Sequence, residues 1–298
     1  MSGIGKRALI TGIHGFTGRY MARELAADGY QVFGLGRQPA SQPDYFQLDL
    51  RNADRLTEVL KQVRPHVVIH LAAIAFVGYG NANAFYQVNA VGTRNLLQAL
   101  CRCASSLDAV LIASSANVYG NNQAGKLKEN TPPNPENDYA VSKLMMEYIA
   151  KLWMDKLPLF ITRPFNYTGV GQDNNFLLPK IVSHYRNKSL TIELGNIDVW
   201  RDFTDVRALV RAYRHLLQVK PLGEIINICS GSMYSLSEIV ALCEKITAHH
   251  LQIKINPALV RQNEVKTLCG DATKLQALLN DWKTPPLETT LRWMLESE

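Results

Sequence analysis

The chain has 298 residues, 47% of them hydrophobic and 19% charged, with a formal net charge of +6. That length suits one large domain or two unequal ones around a shared core, and that balance excludes a disordered chain. The basic excess does not point to nucleic acid: the 32 Lys and Arg are scattered, never more than two together, with no basic stripe interleaved with aromatics. No charged and apolar leader precedes the first apolar run, so no secretory signal is expected. The most apolar window, "VVIHLAAIAFVGYG", contains His70 and is too short to cross a bilayer. Cys101, Cys103, Cys229, Cys243 and Cys269 are odd in number and form no CxxC pair, which argues against a disulfide framework or zinc ribbon and for a reducing cytoplasm.

Residues 7–11 read as a short apolar strand, "GIHGFTG" (12–18) as a glycine-spaced turn and 20–28 as an amphipathic helix. Gly29 sits where a helix C-cap belongs, and "QVFGLG" is the next strand. This is a βαβ unit with its glycines at the strand-to-helix junction, the arrangement that cradles a dinucleotide. Gly12 allows the tight turn, Gly15 lets backbone approach a pyrophosphate, and Gly18 lets the helix lie close to the sheet. The N–H groups of the helix start then meet the anion. No GK[ST] follows, so the turn is not a nucleotide-triphosphatase loop. The second strand ends in "GLGR", with Arg37 and no acid before Asp44. A carboxylate there would hold ribose hydroxyls and repel a 2′-phosphate, whereas an arginine fork fits one. The pattern favours NADP(H) over NAD(H), a solvated Arg37 being the alternative.

Strand-like runs at 65–73, 108–116 and 157–164 alternate with helical segments at about 53–63, 85–104 and 139–155. The expected fold class is therefore α/β, a doubly wound parallel Rossmann sheet with a smaller, discontinuous C-terminal substrate domain. Residues 1–165 and 202–229 are assigned to the first domain, 166–201 and 230–298 to the second. Ligands gather at the C-terminal ends of the strands, where Gly12, Arg37, Ala72 and Ser115 fall. In the second domain "YSLSEIVALCEKITAHH" is a helix with Ser235 as N-cap and Glu238 completing a capping box. His249 and His250 are adjacent, so they point apart on a helix, and without an acid beside them no metal is expected.

"LIASSANVYG" ends an apolar run in Ser114 and Ser115, followed by a methyl and a neutral amide at Ala116 and Asn117. Further on, "NDYAVSKLMMEYIAKLW" sets Tyr139 and Lys143 four apart, on one face of a helix. A phenol is a poor proton shuttle at neutral pH, but a nearby ammonium favours its phenolate. Ser115 is placed to hold the same substrate oxygen. Without that context the pair reads as ordinary helix surface.

Together "GIHGFTG", "LDLRN" (48–52), "HLAA" (70–73), "VNAVGT" (88–93), "SSANVYG", "YAVSK" and "RPFN" (163–166) resemble the extended short-chain dehydrogenase/reductase family, in its nucleotide-sugar branch. The resemblance spans nearly the whole chain. It implies that Ser115, Tyr139 and Lys143 are catalytic, with Lys143 also on the nicotinamide ribose. Around the cofactor it implies Gly12, His14, Gly15, Phe16, Thr17 and Gly18 at the pyrophosphate turn, and Arg37 beyond it. Asp49 and Leu50 approach the adenine, and Leu71, Ala72, Ala73, Tyr139 and Arg163 complete the cofactor site. Asn89 is structural, near the active-site helix, while Asn117, Asn166 and Lys180 face the sugar nucleotide. "GNIDVWRDFTDV" and "RQNE" resemble the GDP-mannose branch, which puts Arg201, Arg261 and Glu264 on the diphosphate, ribose and base, with Asn196 and Asp198 nearby.

In the 4,6-dehydratases of that branch the position of Asn117 is a glutamate that removes a carbon-bound proton. An amide lacks that basicity. The resemblance therefore implies ketone reduction: an NADPH-dependent enzyme acting on a GDP-4-keto-6-deoxy sugar, hexose or heptose, in surface polysaccharide precursor synthesis. A cytoplasmic homodimer or tetramer through helices 85–104 and 139–155 is implied with it, and neither nucleic acid nor membrane is an expected partner. The alternatives are an NAD-dependent 4-epimerase, a dehydratase-like enzyme, and a non-catalytic NADP-sensing module. A 3,5-epimerase/reductase would need Cys and His in the sugar pocket, but no Cys lies between 103 and 229 and His184 falls inside a helical pattern.

Overall fold

The computed structural model describes residues 3–76, 80–103, 106–121, 125–260 and 265–297. Its first half alternates β1 (Arg7–Thr11), α1 (Phe16–Ala27), β2 (Gln31–Gly36), β3 (Tyr45–Gln47), α2 (Ala53–Val63) and β4 (Val67–His70). Then follow α3 (Ala82–Phe85), a π-helical turn (Tyr86–Val91), α4 (Gly92–Cys103), β5 (Ala109–Ala113), a 3₁₀ turn (Ala116–Tyr119), α5 (Asp138–Lys151) and β6 (Leu159–Pro164). The expected single helix over 85–104 is thus broken by a wider turn. That turn holds buried Asn89, whose amide accepts from Ile74 N at 2.9 Å and donates to Ile74 O and to Ser142 Oγ on α5 at 3.0 Å. A tertiary tether of this kind is invisible to periodicity.

The second half runs β7 (Asn166–Thr168), α6 (Leu177–Arg186), β8 (Thr191–Leu194), β9 (Trp200–Asp205), α7 (Val206–Val219), β10 (Ile225–Ile228), β11 (Met233–Ser235) and α8 (Leu236–Thr247). It closes with β12 (Gln252–Ile255), β13 (Thr267–Leu268), α9 (Thr273–Leu278) and α10 (Leu287–Glu296). Seven parallel strands form the main sheet in the order β10-β6-β5-β4-β1-β2-β3. The order reverses between β1 and β4, and such a switch point opens a crevice at the strands' C-terminal ends. One face is covered by Met21 and Leu25 of α1 with Leu209, Tyr213 and Leu216 of α7. The other is covered by Leu56 and Leu60 of α2, Leu96 and Leu100 of α4, and Met146 of α5. Both faces are dry, which is why β4 to β6 read as unbroken apolar runs.

A smaller lobe sets α6, α8 and α10 around Ile181, Tyr185, Ile239 and Leu291, against β7, β9, β11 and β13 and the β8–β12 pair. Its helix α8 carries the capping box as read: Ser235 Oγ accepts from Glu238 N at 3.1 Å while Glu238 accepts from Ser235 N at 2.7 Å. The lobe boundaries differ from the expected ones. Leu275, Leu279 and Trp282 pack into the main-sheet core, and the Trp282 indole donates to Ala208 O at 3.0 Å. Residues around α9 therefore return to the first lobe, and β9 runs through the boundary expected at 201/202. His249 and His250 also lie beyond the end of α8, not on it. His250 has an acid partner, Glu244, at 2.8 Å, while His249 Nε2 lies 2.7 Å from Ser189 O.

Candidate active site

The glycine turn leaves β1 at Gly12, whose φ of +75° favours glycine and whose missing Cβ leaves room for the Ala72 backbone. At Gly18 a side chain would collide with the carbonyls of Gly12 and Ile13, so this glycine lets the helix sit against the turn itself. Helix α1 starts one turn earlier than expected, with Gly15 as N-cap and no side chain on its first N–H groups. A closed-down turn and an uncapped 12-residue helix fit a diphosphate. Beneath it, Thr11 Oγ1 accepts from Ala72 N at 3.1 Å and pairs with His70 Nδ1 at 2.7 Å. His70 Nε2 meets Thr93 Oγ1 at 2.8 Å, and Thr93 donates its one proton to Asn89 O. Hence Nε2 carries the ring proton and Nδ1 accepts from Thr11. Burial drives the His70 pKa down to about 3, with the Lys143 charge acting the same way, so the ring stays neutral.

Around the expected adenine end, Arg37 is exposed and His14 stacks on Tyr45 with ring centroids 4.3 Å apart. Asp49 is gripped by Arg51, which donates from Nε at 3.0 Å and NH2 at 2.7 Å. That bond first, and Arg37 more weakly, hold the carboxyl below its usual range. Sequence reasoning passed over Arg51, although it stands in the quoted "LDLRN". The Leu50 side chain is buried in the main core.

The structure brings Ser115, Asn117, Tyr139 and Lys143 together. Ser115 caps the 3₁₀ turn, and its Oγ accepts from Asn117 N and Nδ2, both at 3.2 Å. Its own proton is left for the buried Tyr139, to which it is hydrogen-bonded. Asn137 caps α5, accepting from Ala140 N at 2.9 Å, and so sets Tyr139 in the first turn. Lys143 Nζ donates to Ala113 O, at the end of β5, at 2.8 Å. Burial pushes the Tyr139 phenol up to about 12, against the Ser115 hydrogen bond. Burial likewise lowers Lys143 to about 8, with Glu147 opposing. The expectation that the ammonium draws the phenol down is not met, because desolvation dominates and the ammonium bonds to a carbonyl. Such a phenol stays protonated at neutral pH, the form a proton donor needs.

Asn166 opens β7 with a buried Nδ2 that has no partner among the described residues. Next to it Tyr167 OH and Thr17 Oγ1 lie 2.8 Å apart, and Phe16 stacks on the Tyr167 ring at 6.0 Å. Tyr20 and Arg19 extend this seam by donating to the carbonyls of Val170 and Gly171. Lys180 and Asn196 are engaged inside the small lobe: Lys180 Nζ donates to Glu193 O at 2.6 Å, and Asn196 accepts from Asp198 N at 2.9 Å. Arg201 donates to the carbonyls of Trp200 and Lys266. Arg261 and Glu264 lie outside the described residues.

The Arg163 guanidinium is buried and committed to Glu147, at 2.9 and 2.7 Å, and to Glu129 O at 3.2 Å. Sequence reasoning missed Glu147 itself. Its signal was an acid on the same helical face as Tyr139 and Lys143, in an otherwise apolar stretch.

A family profile described as GDP-mannose 4,6 dehydratase matches residues 9–294. The chain is 35% identical to a GDP-6-deoxy-D-talose 4-dehydrogenase of Aggregatibacter actinomycetemcomitans, across 98% of this chain and 97% of that protein. It is 31% identical to a GDP-6-deoxy-D-mannose reductase of Pseudomonas aeruginosa, across 94% and 98%. Among solved structures, a putative epimerase from Burkholderia cenocepacia J2315 superposes with a TM-score of 0.93 at 47% identity over 98% of each chain. RMD from Pseudomonas aeruginosa complexed with NADPH superposes at 0.85, with 31% identity over 97% of each.

Proposed function

This chain belongs to the GDP-mannose 4,6-dehydratase-like group of the extended short-chain dehydrogenase/reductase family, and we propose that it reduces the C4 ketone of a GDP-4-keto-6-deoxy sugar with NADPH. The products are GDP-rhamnose or GDP-6-deoxytalose, or the 6-deoxyheptose equivalent, for surface polysaccharide precursors made in the cytoplasm. One observation carries the reading: the side chain bonded to Ser115, the hydroxyl beside Tyr139, is the neutral amide of Asn117. Dehydration needs a base to take a carbon-bound proton, and an amide cannot serve. Ketone reduction needs only an oxygen clamp and a proton donor beside the hydride source.

The chain's own residues supply those parts. Ser115 donates to the carbonyl oxygen, and Tyr139 gives its proton to the forming alkoxide. Lys143, held by Ala113 O, would bind the nicotinamide ribose. Asn166 offers its unpartnered Nδ2 to the sugar nucleotide. The bound dihydronicotinamide supplies the hydride. Support for NADPH comes from Arg37 and Arg51: a 2′-phosphate would meet two guanidiniums there, and Asp49 is neutralised by one of them. A nicotinamide cofactor is also what the relatives' names and the neighbour's ligand suggest.

We read the protein as a homodimer or higher oligomer. Val141, Met145, Tyr148 and Leu152, spaced three to four apart on α5, are exposed, Leu152 to 75%, and such a stripe suits a second copy. Cytoplasmic placement is supported by five free cysteines, and no helix among the described residues is long and apolar enough to cross a membrane.

The test is incubation with GDP-4-keto-6-deoxymannose and NADPH. One NADPH consumed per sugar, with a single 4-hydroxyl product, is expected. Formation of a 4-keto sugar from GDP-mannose, or 4-epimerisation without net NADPH loss, would contradict the assignment.

A further inference from the structure

One helical turn beyond Lys143 on α5 lies Glu147, 1% exposed. Its Oε1 accepts from Ser114 Oγ at 2.6 Å and Arg163 Nε at 2.9 Å, and its Oε2 accepts from Arg163 NH2 at 2.7 Å. Arg163 is held in turn by Glu129 O and lies over the Tyr119 ring, 4.7 Å from its centroid. A buried Glu–Arg pair could be scaffold alone. Two features go beyond that. Ser114 precedes Ser115 in the chain, so the carboxylate, through the Ser114 hydroxyl, tethers the residue next to the one that presents the Ser115 hydroxyl. Two buried cations also flank Glu147: Arg163 is bonded to it, and Lys143 stands four residues earlier on the same face of α5.

We propose that Glu147 is a positioning residue for the ketone reduction assigned above, on which this inference rests: its carboxylate keeps the buried Lys143 an ammonium at neutral pH and, through Ser114, fixes the strand end that carries Ser115. The surroundings of Lys143 agree. Burial weakens its hold on a proton, and Glu147 is the charge that opposes this. On β4 the neutral His70 adds no charge, on β5 Ala113 offers only its carbonyl, and on α5 Tyr139 is protonated. On β6 Arg163 brings a positive charge that the same carboxylate balances. Without Glu147 two cations would share a low-dielectric site, and the proton on Lys143 is the one that can leave.

The experiment compares the wild type with Glu147→Gln across pH, reading kcat/KM and, separately, NADPH affinity by quenching of intrinsic fluorescence. In the wild type both should fall on the alkaline side as Lys143, lowered by burial to about 8, loses its proton. In Glu147→Gln both alkaline limbs should move at least about one unit acidward, while kcat/KM at pH 6 stays within about threefold of wild type. A uniform loss of activity with unmoved limbs would make Glu147 scaffold only and overturn the proposal. Should Glu147→Gln fail to fold, Glu147→Asp carries the test. It keeps the charge but withdraws it from Ser114, so the limbs should stay within about 0.3 unit while kcat falls about three- to tenfold. An unchanged kcat, or limbs that move, would overturn it. The binding curve needs no sugar, so a wild type that binds NADPH with this limb yet reduces no keto-sugar would defeat the assigned reaction and leave the role of Glu147 to be judged on binding.

Discussion

Two buried polar groups share helix α5, one around Glu147 and one around Tyr139, and they differ in how completely their hydrogen bonds are satisfied. In the Glu147 cluster both carboxylate oxygens, Ser114 Oγ and the three guanidinium nitrogens of Arg163 all have partners. On the side of Tyr139, the buried Nδ2 of Asn166 has no partner among the described residues. Both groups are desolvated, so an unmet donor carries an energetic penalty that the fold does not relieve. The saturated cluster is what holds the site in shape. The unsaturated one is where the chain expects another molecule.

The contrast predicts opposite responses to substitution. The largest effect should come from the saturated side. Arg163→Leu strands the Glu147 carboxylate and should destabilise the protein by about 3–5 kcal/mol in urea unfolding. A loss below about 1 kcal/mol would mean the pair is not the scaffold described. On the unsaturated side, Tyr139→Phe should lower kcat by about 100-fold or more, with NADPH binding and stability nearly unchanged. Near-normal turnover would remove Tyr139 as proton donor.

At the far end of the cradle, Arg37→Ala should cut the NADPH/NADH preference in kcat/KM by roughly ten- to a hundredfold, the effect of one lost charged hydrogen bond. If instead the ratio holds in Arg37→Ala and falls in Arg51→Ala, the second guanidinium governs the choice. The smallest effect should follow from Asn166→Ala: about tenfold in KM for the sugar nucleotide, with less than about 1 kcal/mol in stability because no intramolecular bond of Nδ2 is lost. A large stability loss with unchanged KM would place Asn166 with the scaffold.

Local rules made features of both lobes legible. Positive φ at Gly12, the crowding at Gly18 and the Ser235–Glu238 box are consequences of a few adjacent residues, and the sequence carries them openly. Tertiary consequences were hidden. The apolar residues in and after α9 do not show in sequence which lobe buries them, and Leu275 and Trp282 pack into the main-sheet core. The π-helical turn at Asn89 depends on Ile74 and Ser142, far away in sequence. Arg163 was placed at the cofactor because its motif neighbours are there, while its partner Glu147 could only be recognised once β6 and α5 were packed together. The phenol pKa was misjudged for the same reason. Charge spacing along a helix is visible in sequence, whereas burial, which dominates here, is not.

The central claim is that this site adds hydride to a ketone and leaves the neighbouring carbon acids alone, because an amide stands at Asn117. The most direct measurement is the reaction of GDP-4-keto-6-deoxymannose with unlabelled NADPH in D₂O, followed by NMR or mass analysis of the product. The account predicts no carbon-bound deuterium above the control without enzyme. Enzyme-dependent deuterium at C3 or C5 would contradict it and show that a base acts in this site.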